Sequence, residues 1–232
     1  MLKRLDKFLC DKKIGTRSQV KSLIQKGLVT VNGEIVKKAD VKVSDEDIVY
    51  CQGEQLSSEE FGYFMLNKPA GLVSATEDAS CQTVIDLFKD EPYKNLYPVG
   101  RLDKDTEGLL LITNDGPLGH QLLSPKKHVP KTYYANLAHA LSQTDIEALE
   151  NGVDIGEKNL TLPAQVEVLG ETSVHITITE GKFHQVKRML EAVENKVVYL
   201  KRVSMGSLIL DETLKLGEYR RLTEEELAGL KG

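Results

Sequence analysis

A chain of 232 residues has room for two hydrophobic cores of unequal size, and a charged fraction of 28% is that of an ordinary globular protein. Three widely spaced cysteines, Cys10, Cys51 and Cys81, argue against a disulfide framework and a CxxC metal or redox site, and they suit a reducing cytoplasm. No apolar run approaches the roughly 18 residues of a membrane span, and MLKRLDKFLC is too often interrupted by charge for a signal-peptide core, so neither export nor anchoring is expected.

The net charge of -5 hides a polarity: residues 1–43 hold 11 Lys/Arg against 4 Asp/Glu, a net of +7, which leaves -12 for the rest. A basic head on an acidic body suits a nucleic-acid-binding module, although a solvated lysine-rich surface has the same composition. Leu2, Leu5, Phe8 and Leu9 share one helical face, which predicts an amphipathic helix over residues 2–11. Thr16 and Gln19 have the spacing of a capping box. Val20, Leu23 and Ile24 continue a second helix that Gly27 can end. LVTV, Asn32-Gly33 and EIV read as a hairpin with a type I′ turn, and IVY at 48–50 as a further strand.

RLDKFL followed by TRSQVKSLIQKGLVTVNGEIV resembles the S4 RNA-binding domain, through residue 52. The resemblance implies that Arg4, Arg17, Ser18, Lys21, Gln25, Lys26 and Asn32 line one RNA-facing surface. Cations there would displace counterions from phosphates, while the short polar side chains fix register.

Residues 53–60, GEQLSSEE, are polar and aperiodic and read as a linker, so the second domain is expected over 61–232. Strand-like runs (YFML, LLLIT, KTYYANL, AQVEVL, SVHITIT, VVYLKRVSMGSLIL) outnumber helical ones (TVIDLFK, LSQTDIEALENG, HQVKRMLEAVEN). Many neighbours are too close for a helical crossover, so the expected class is α+β, mainly antiparallel, with a central cleft. The helix from about His184 to Glu194 puts Val186, Met189, Leu190 and Val193 on its core face; Lys187 falls off that face and would be solvated on periodicity alone.

Four stretches can carry chemistry: NKPAGLVSAT, YPVGRLDKDTEGLLLITNDG, PKTYYANL and EGKFHQVKRML. The five histidines are scattered and no metal-ligand spacing or phosphate-cradling glycine loop is present. Arg101, two residues before Asp103 on an extended segment, points to the same face, and an aspartate beside a cation stays ionised as a nucleophile or base must. Asp105 would crowd that face, and a turn ahead of Gly108 is expected to redirect it.

GRLDKDTEGLLLITNDG, with KP before it, KTY and EGKFHQVKRML after it, and an S4-like head in front, is similar to the pseudouridine synthases of the small-ribosomal-subunit RNA type. The resemblance covers the whole chain through GEYRRLTEEEL. It implies that Asp103 is the catalytic aspartate, Tyr133 the tyrosine of the KTY motif and Lys187 the cation that pairs with Asp103. Many relatives have arginine at that last position; lysine keeps the charge without the bidentate fork. The implied reaction cleaves the N1–C1′ bond of uridine, turns the uracil and rejoins it through C5, with no cofactor or metal. Asp103 would add to C1′ or remove the 2′ proton, and Tyr133 would stack on the base. Arg101 would fill the space the base vacates or hold the adjacent phosphate, and Lys68 with Pro69 would form a rigid turn beside the cleft. Lys68, Lys182 and Arg188 join the expected RNA contacts. The implied substrate is uridine 516 of 16S ribosomal RNA in a small-subunit assembly intermediate, acted on by a cytoplasmic monomer.

Three rivals stand beside this. A binding-only ribosome-assembly factor would not need the GRLD, KTY and EGKFHQ combination. A metal-dependent nuclease or phosphatase on Asp103, Asp105 and Glu107 lacks convergent ligands from elsewhere. S4-bearing synthases of large-subunit RNA are nearest, and FMLNKP, HQVKRM and GEYRRLTEEE favour the small-subunit type over them.

Overall fold

The computed structural model describes residues 2–44, 47–56 and 61–232, which fall into two compact units, 1–62 with 89–96, and 63–88 with 97–232. In the first unit, β1 (Lys3–Arg4) leads into α1 (Leu5–Asp11) and α2 (Arg17–Gln25). The first helix starts later than its apolar spacing predicts, because Lys3 and Arg4 pair with Val43 and Lys42 of β4 (Lys42–Val43), and Leu2 is left exposed. The expected capping box holds α2: Gln19 N–H donates to Thr16 Oγ1 and Thr16 N–H to Gln19 Oε1. β2 (Val29–Val31) and β3 (Glu34–Ile35) form the predicted hairpin, with Asn32 at φ 53° and Gly33 at φ 85° as a type I′ turn requires.

β5 (Val49–Cys51) continues that sheet, and β6 (Glu54–Leu56) pairs with it. Residues 54–56, expected within the linker, are therefore strand, since a polar tripeptide at a sheet edge needs only backbone partners. Residues 57–60 of that linker lie outside the described residues. Leu5, Leu9, Val20, Ile24, Val29 and Val49 are fully buried and form this unit's core, each worth about 1.5–3 kcal/mol over exposure.

In the second unit, β7 (Tyr63–Lys68), β8 (Tyr97–Pro98), β9 (Glu107–Thr113), β10 (Lys131–Leu137), β11 (Gln165–Val168), β12 (Ser173–Ile178), β13 (Val197–Met205), β14 (Leu208–Ile209) and β15 (Tyr219–Arg221) make one sheet. Its order is β11-β12-β10-β13-β9-β7-β15, with β14 on β13 and β8 on β9. Only β13 and β9 run parallel, so the mainly antiparallel α+β class holds for the described strands. α3 (Gly116–Leu123), α4 (Gln143–Asn151), α5 (Gln185–Ala192) and α6 (Glu224–Lys231) complete the unit. TVIDLFK, expected as a helix, makes a 3₁₀ segment over Val84–Phe88. The aspartate that ends LLLITND caps α3: Asp115 Oδ1 accepts from Leu118 N–H at 3.1 Å.

Candidate active site

NKPAGLVSAT and GRLDKDTEGL are separate in sequence and interlocked in space. Lys68, at the end of β7, is fully buried, and its Nζ lies within donating distance of the carbonyls of Pro69 (3.0 Å), Asp103 (3.1 Å), Lys104 (3.3 Å) and Thr106 (2.9 Å). An ammonium has three protons for these four acceptors, so the loop from Asp103 to Thr106 is wrapped round a single cation. Burial pushes this ammonium down to about 8 although Asp105, Asp103 and Glu107 act to raise it. Gly71 N–H donates to Lys104 O (2.7 Å), and the Ser74 hydroxyl donates to Leu102 O (2.9 Å) while accepting from Leu102 N–H (3.1 Å). Lys68 is thus no RNA contact: it is a buried support of the loop, which agrees with the expected rigid turn and corrects its place among the RNA-facing residues.

That loop delivers Asp103 to a cleft of about 870 Å³ whose walls include Arg101, Asp103, Tyr133, Lys182, Lys187 and Arg202. Asp103 Oδ2 lies 3.0 Å from Lys187 Nζ, so the lysine that periodicity alone would have left solvated faces the carboxylate. Val186, Met189 and Leu190 seat α5 on the core, and the next position round the helix carries Lys187 toward the loop. Asp105 is not redirected away. Its Oδ1 is 2.6 Å from the same Nζ, because residues 104–105 form a turn that brings both carboxylates back to one cation.

Burial pulls the Lys187 ammonium down, but hydrogen bonds and charge from Asp105 and Asp103 together lift it above its ordinary value. The hydrogen bond from Lys187 holds Asp105 below the usual carboxylate range. His184, which sequence reasoning passed over, caps α5 in the left-handed conformation (φ 49°), with Nε2 3.5 Å from Asp103 Oδ1 and its ring stacked on Phe183 at 3.8 Å. Its signal was its place one residue before the QVKRML helix.

Arg101 lines the cleft and is exposed, but among the described residues no ion pair joins it to Asp103; the counter-charge comes from Lys187. Tyr133 is 8% exposed on β10, facing the cleft. Lys182 lines it too, with Nζ donating to Leu160 O (3.2 Å) and 3.6 Å from Glu180. Arg188 is engaged within the fold, by Glu157, Phe183 O and Ile155 O. Glu107 accepts from the Tyr199 hydroxyl at 2.6 Å, and among the described residues no three His, Cys, Asp or Glu side chains converge on a metal position.

In the first unit, Arg17, Ser18, Lys21, Gln25 and Lys26 are exposed, on and just beyond α2. Arg4 is engaged by Asp6 (2.9 Å). Asn32 is used at both ends of its amide, donating to Asp47 Oδ1 (2.7 Å) and accepting from Ile48 N–H (2.8 Å), so it fastens the hairpin. Among the described residues no helix is long and apolar enough to cross a membrane.

A sheet with a buried tyrosine, a loop aspartate paired with a helix lysine at its cleft, and a basic module of two helices and a hairpin ahead of it in the chain together have the make-up of an RNA-modifying enzyme. Residues 62–192 match the RNA pseudouridylate synthase family and residues 3–49 the S4 domain. The chain is 51% identical to the RNA pseudouridine synthase YtzG of Bacillus subtilis, over 97% of this chain and 96% of that one. It is 45% identical to ribosomal small subunit pseudouridine synthase A of Vibrio cholerae, over 98% and 99%. A crystal structure of a pseudouridylate synthase, 44% identical, superposes with a TM-score of 0.70 over 98% of this chain and 99% of that one. The chain belongs to the RNA pseudouridylate synthase family, on the branch that includes the small-subunit synthases, and is an isomerase of uridine in RNA.

Proposed function

We propose that this enzyme converts uridine 516 of 16S ribosomal RNA to pseudouridine during small-subunit assembly, acting as a cytoplasmic monomer with one catalytic aspartate, Asp103, and no cofactor. The observation that carries the assignment is the 3.0 Å pair between Asp103 and Lys187 on the wall of the cleft. The names of the similar proteins from Vibrio cholerae and Haemophilus influenzae support the small-subunit substrate.

In this reading the target uridine leaves its stack and enters the cleft. Lys187 keeps Asp103 ionised and aimed at the ribose, where the carboxylate adds to C1′ or takes the 2′ proton. The base departs with the electron pair of the N1–C1′ bond, turns on the Tyr133 ring and rejoins through C5, displacing the carboxylate from C1′ or, on the other route, taking back the 2′ proton; the C5 proton is then lost and N1 gains one. The sum is an isomerisation that needs no water and no second substrate. Arg101, exposed at the cleft, fills the place of the flipped base or holds its phosphate. Arg17, Ser18, Lys21, Gln25 and Lys26 of the head, with Arg4, bind the RNA backbone, while Asn32 holds the hairpin.

Two measurements test this. Mapping pseudouridine in ribosomal RNA from a deletion strain should show loss at position 516 of 16S RNA and nowhere in the large subunit; a loss in large-subunit RNA instead reassigns the substrate. Asp103→Asn should bind substrate RNA as the wild type does and give no product, and turnover by that variant rejects Asp103 as the catalytic group.

A further inference from the structure

Arg202, which has no part in the mechanism above, is 2% exposed at the centre of the sheet and lines the cleft. Its Nε donates to Leu109 O at 2.7 Å, while Nη2 is buried and has no hydrogen-bond partner among the described residues. No ion pair to Arg202 occurs among them either, and the nearby Lys131 adds a second cation to the same wall. A buried guanidinium with an idle donor and no counter-charge is unfavourable unless something else meets it.

Its position is built. Arg202 lies opposite Gly108 on β9 and opposite Tyr133 on β10, so Lys68, Gly108, Arg202 and Tyr133 form one row across four adjacent strands. The register slips between Thr132, which faces Ser204, and Tyr133, which faces Arg202, so a bulge skips Val203 and puts the arginine beside the tyrosine. Residues directly opposed across such a pair share a face of the sheet.

We propose that Arg202 donates through Nη2 to a carbonyl oxygen of the target uracil and stabilises the negative charge the base acquires when its bond to C1′ breaks. This rests on the reading that a flipped uridine occupies the cleft. The electron pair of the N1–C1′ bond leaves with the uracil and spreads to O2 and O4. Arg202 transfers no proton, and the charge returns to the new C5–C1′ bond when the base rejoins. A delocalised anion with planar carbonyl acceptors fits one sheltered donor, whereas a phosphodiester keeps its full charge and would enter a nearly dry site poorly solvated. Arg202 is held in place before the reaction starts, by Nε on Leu109 O, as transition-state stabilisation requires.

The test crosses protein and substrate changes. Small-subunit RNA is prepared with uridine, 2-thiouridine or 4-thiouridine at the position where the wild type forms pseudouridine, since sulfur accepts hydrogen bonds poorly. The wild type should lose roughly tenfold to a hundredfold in kcat on one of the two thio substrates, the value of a charge-assisted hydrogen bond. Arg202→Lys and Arg202→Met, slower on uridine, should lose no more than about twofold further on that analogue. Changes in leaving-group acidity affect both enzymes and cancel in the comparison.

Penalties that multiply for both analogues overturn the proposal. So does a variant whose defect is confined to KM and to salt sensitivity, which would make Arg202 a phosphate anchor. If the variants do not fold, the wild type alone decides: a kcat unchanged by either sulfur excludes the contact. Failure of the wild type on uridine-containing ribosomal RNA would instead reject the reading on which the proposal stands.

Discussion

Lys187 serves two carboxylates, and they are not equal: Asp105 is 75% exposed at its side chain and Asp103 24%. An exposed pair contributes little, and a sheltered one suffers most when its partner is lost. Lys187→Met should therefore cost at least about a hundredfold in kcat and Lys187→Arg less, while Asp105→Asn stays within roughly threefold of wild type; single-turnover rates would show the order, and a slower Arg than Met variant rejects the ion pair. Lys68 gives a pH test. Its folded value, about 8, lies below the 10.5 of a free lysine, so the unfolded chain holds this proton more tightly. The difference penalises folding in full below pH 8, and the penalty is relieved as pH rises from 8 to 10.5, by roughly 3 kcal/mol over the window. Denaturant unfolding should show wild type gaining on Lys68→Met across that range, and a constant difference between the two would reject the shift. Asp103 was legible from its motif. Arg202 was not, because an arginine next to Lys201 in VVYLKRVSM reads as exposed until β9 packs alongside it.

Gly108 is where two elements depend on one missing side chain. A Cβ there would lie 2.2 Å from Arg202 O and 2.8 Å from Arg202 N, at φ +101°, so the single parallel contact between β9 and β13 closes only over glycine. Gly108→Ala should cost about 3 kcal/mol or more. Gly116→Ala, in the first turn of α3 with nothing within 4 Å of the added methyl, should stay within about 0.5 kcal/mol. Chemical denaturation of the two separates the close approach from any general effect of alanine. Elements with local determinants could be read directly: Thr16 and Gln19 start α2 as their spacing requires, and Ser142 with Asp145 does the same for α4. Those set by distant partners could not. Lys3 and Arg4 look like the first turn of a helix and become strand because Val43 and Lys42 are available to pair. Tyr219–Arg221, within the GEYRRLTEEEL ending, is strand because Phe64, Met65 and Leu66 of β7 offer it an edge.

Charge is the property that belongs to the whole chain, since +7 over residues 1–43 is outweighed by -12 elsewhere and an acidic body repels bare RNA. Deleting the head is a poor test of its role, because residues 89–96 pack within the first unit: Lys13 Nζ donates to Glu91 O (2.9 Å), and Lys94 Nζ to Cys10 O (2.9 Å). A truncation would strip that segment of its partners. Arg17 and Lys21, one turn apart and exposed on α2, can be reversed without touching its buried face of Val20 and Ile24. If they meet phosphates, the double variant Arg17→Glu, Lys21→Glu should bind ribosomal RNA more weakly and less salt-dependently, the log-log slope falling by roughly 0.7 to 0.9 for each lost contact. Its kcat at saturating RNA should match wild type, because the groups that act on the uridine are untouched. The loss should also be larger on 16S RNA with early ribosomal proteins bound than on a short stem-loop, since a second binding module gains affinity only where both sites are presented at once. Binding and turnover across a salt series, on both substrates, measure all three. An unchanged slope with unchanged substrate preference would make the basic face of α2 a solvated surface and move the RNA anchor elsewhere in the chain.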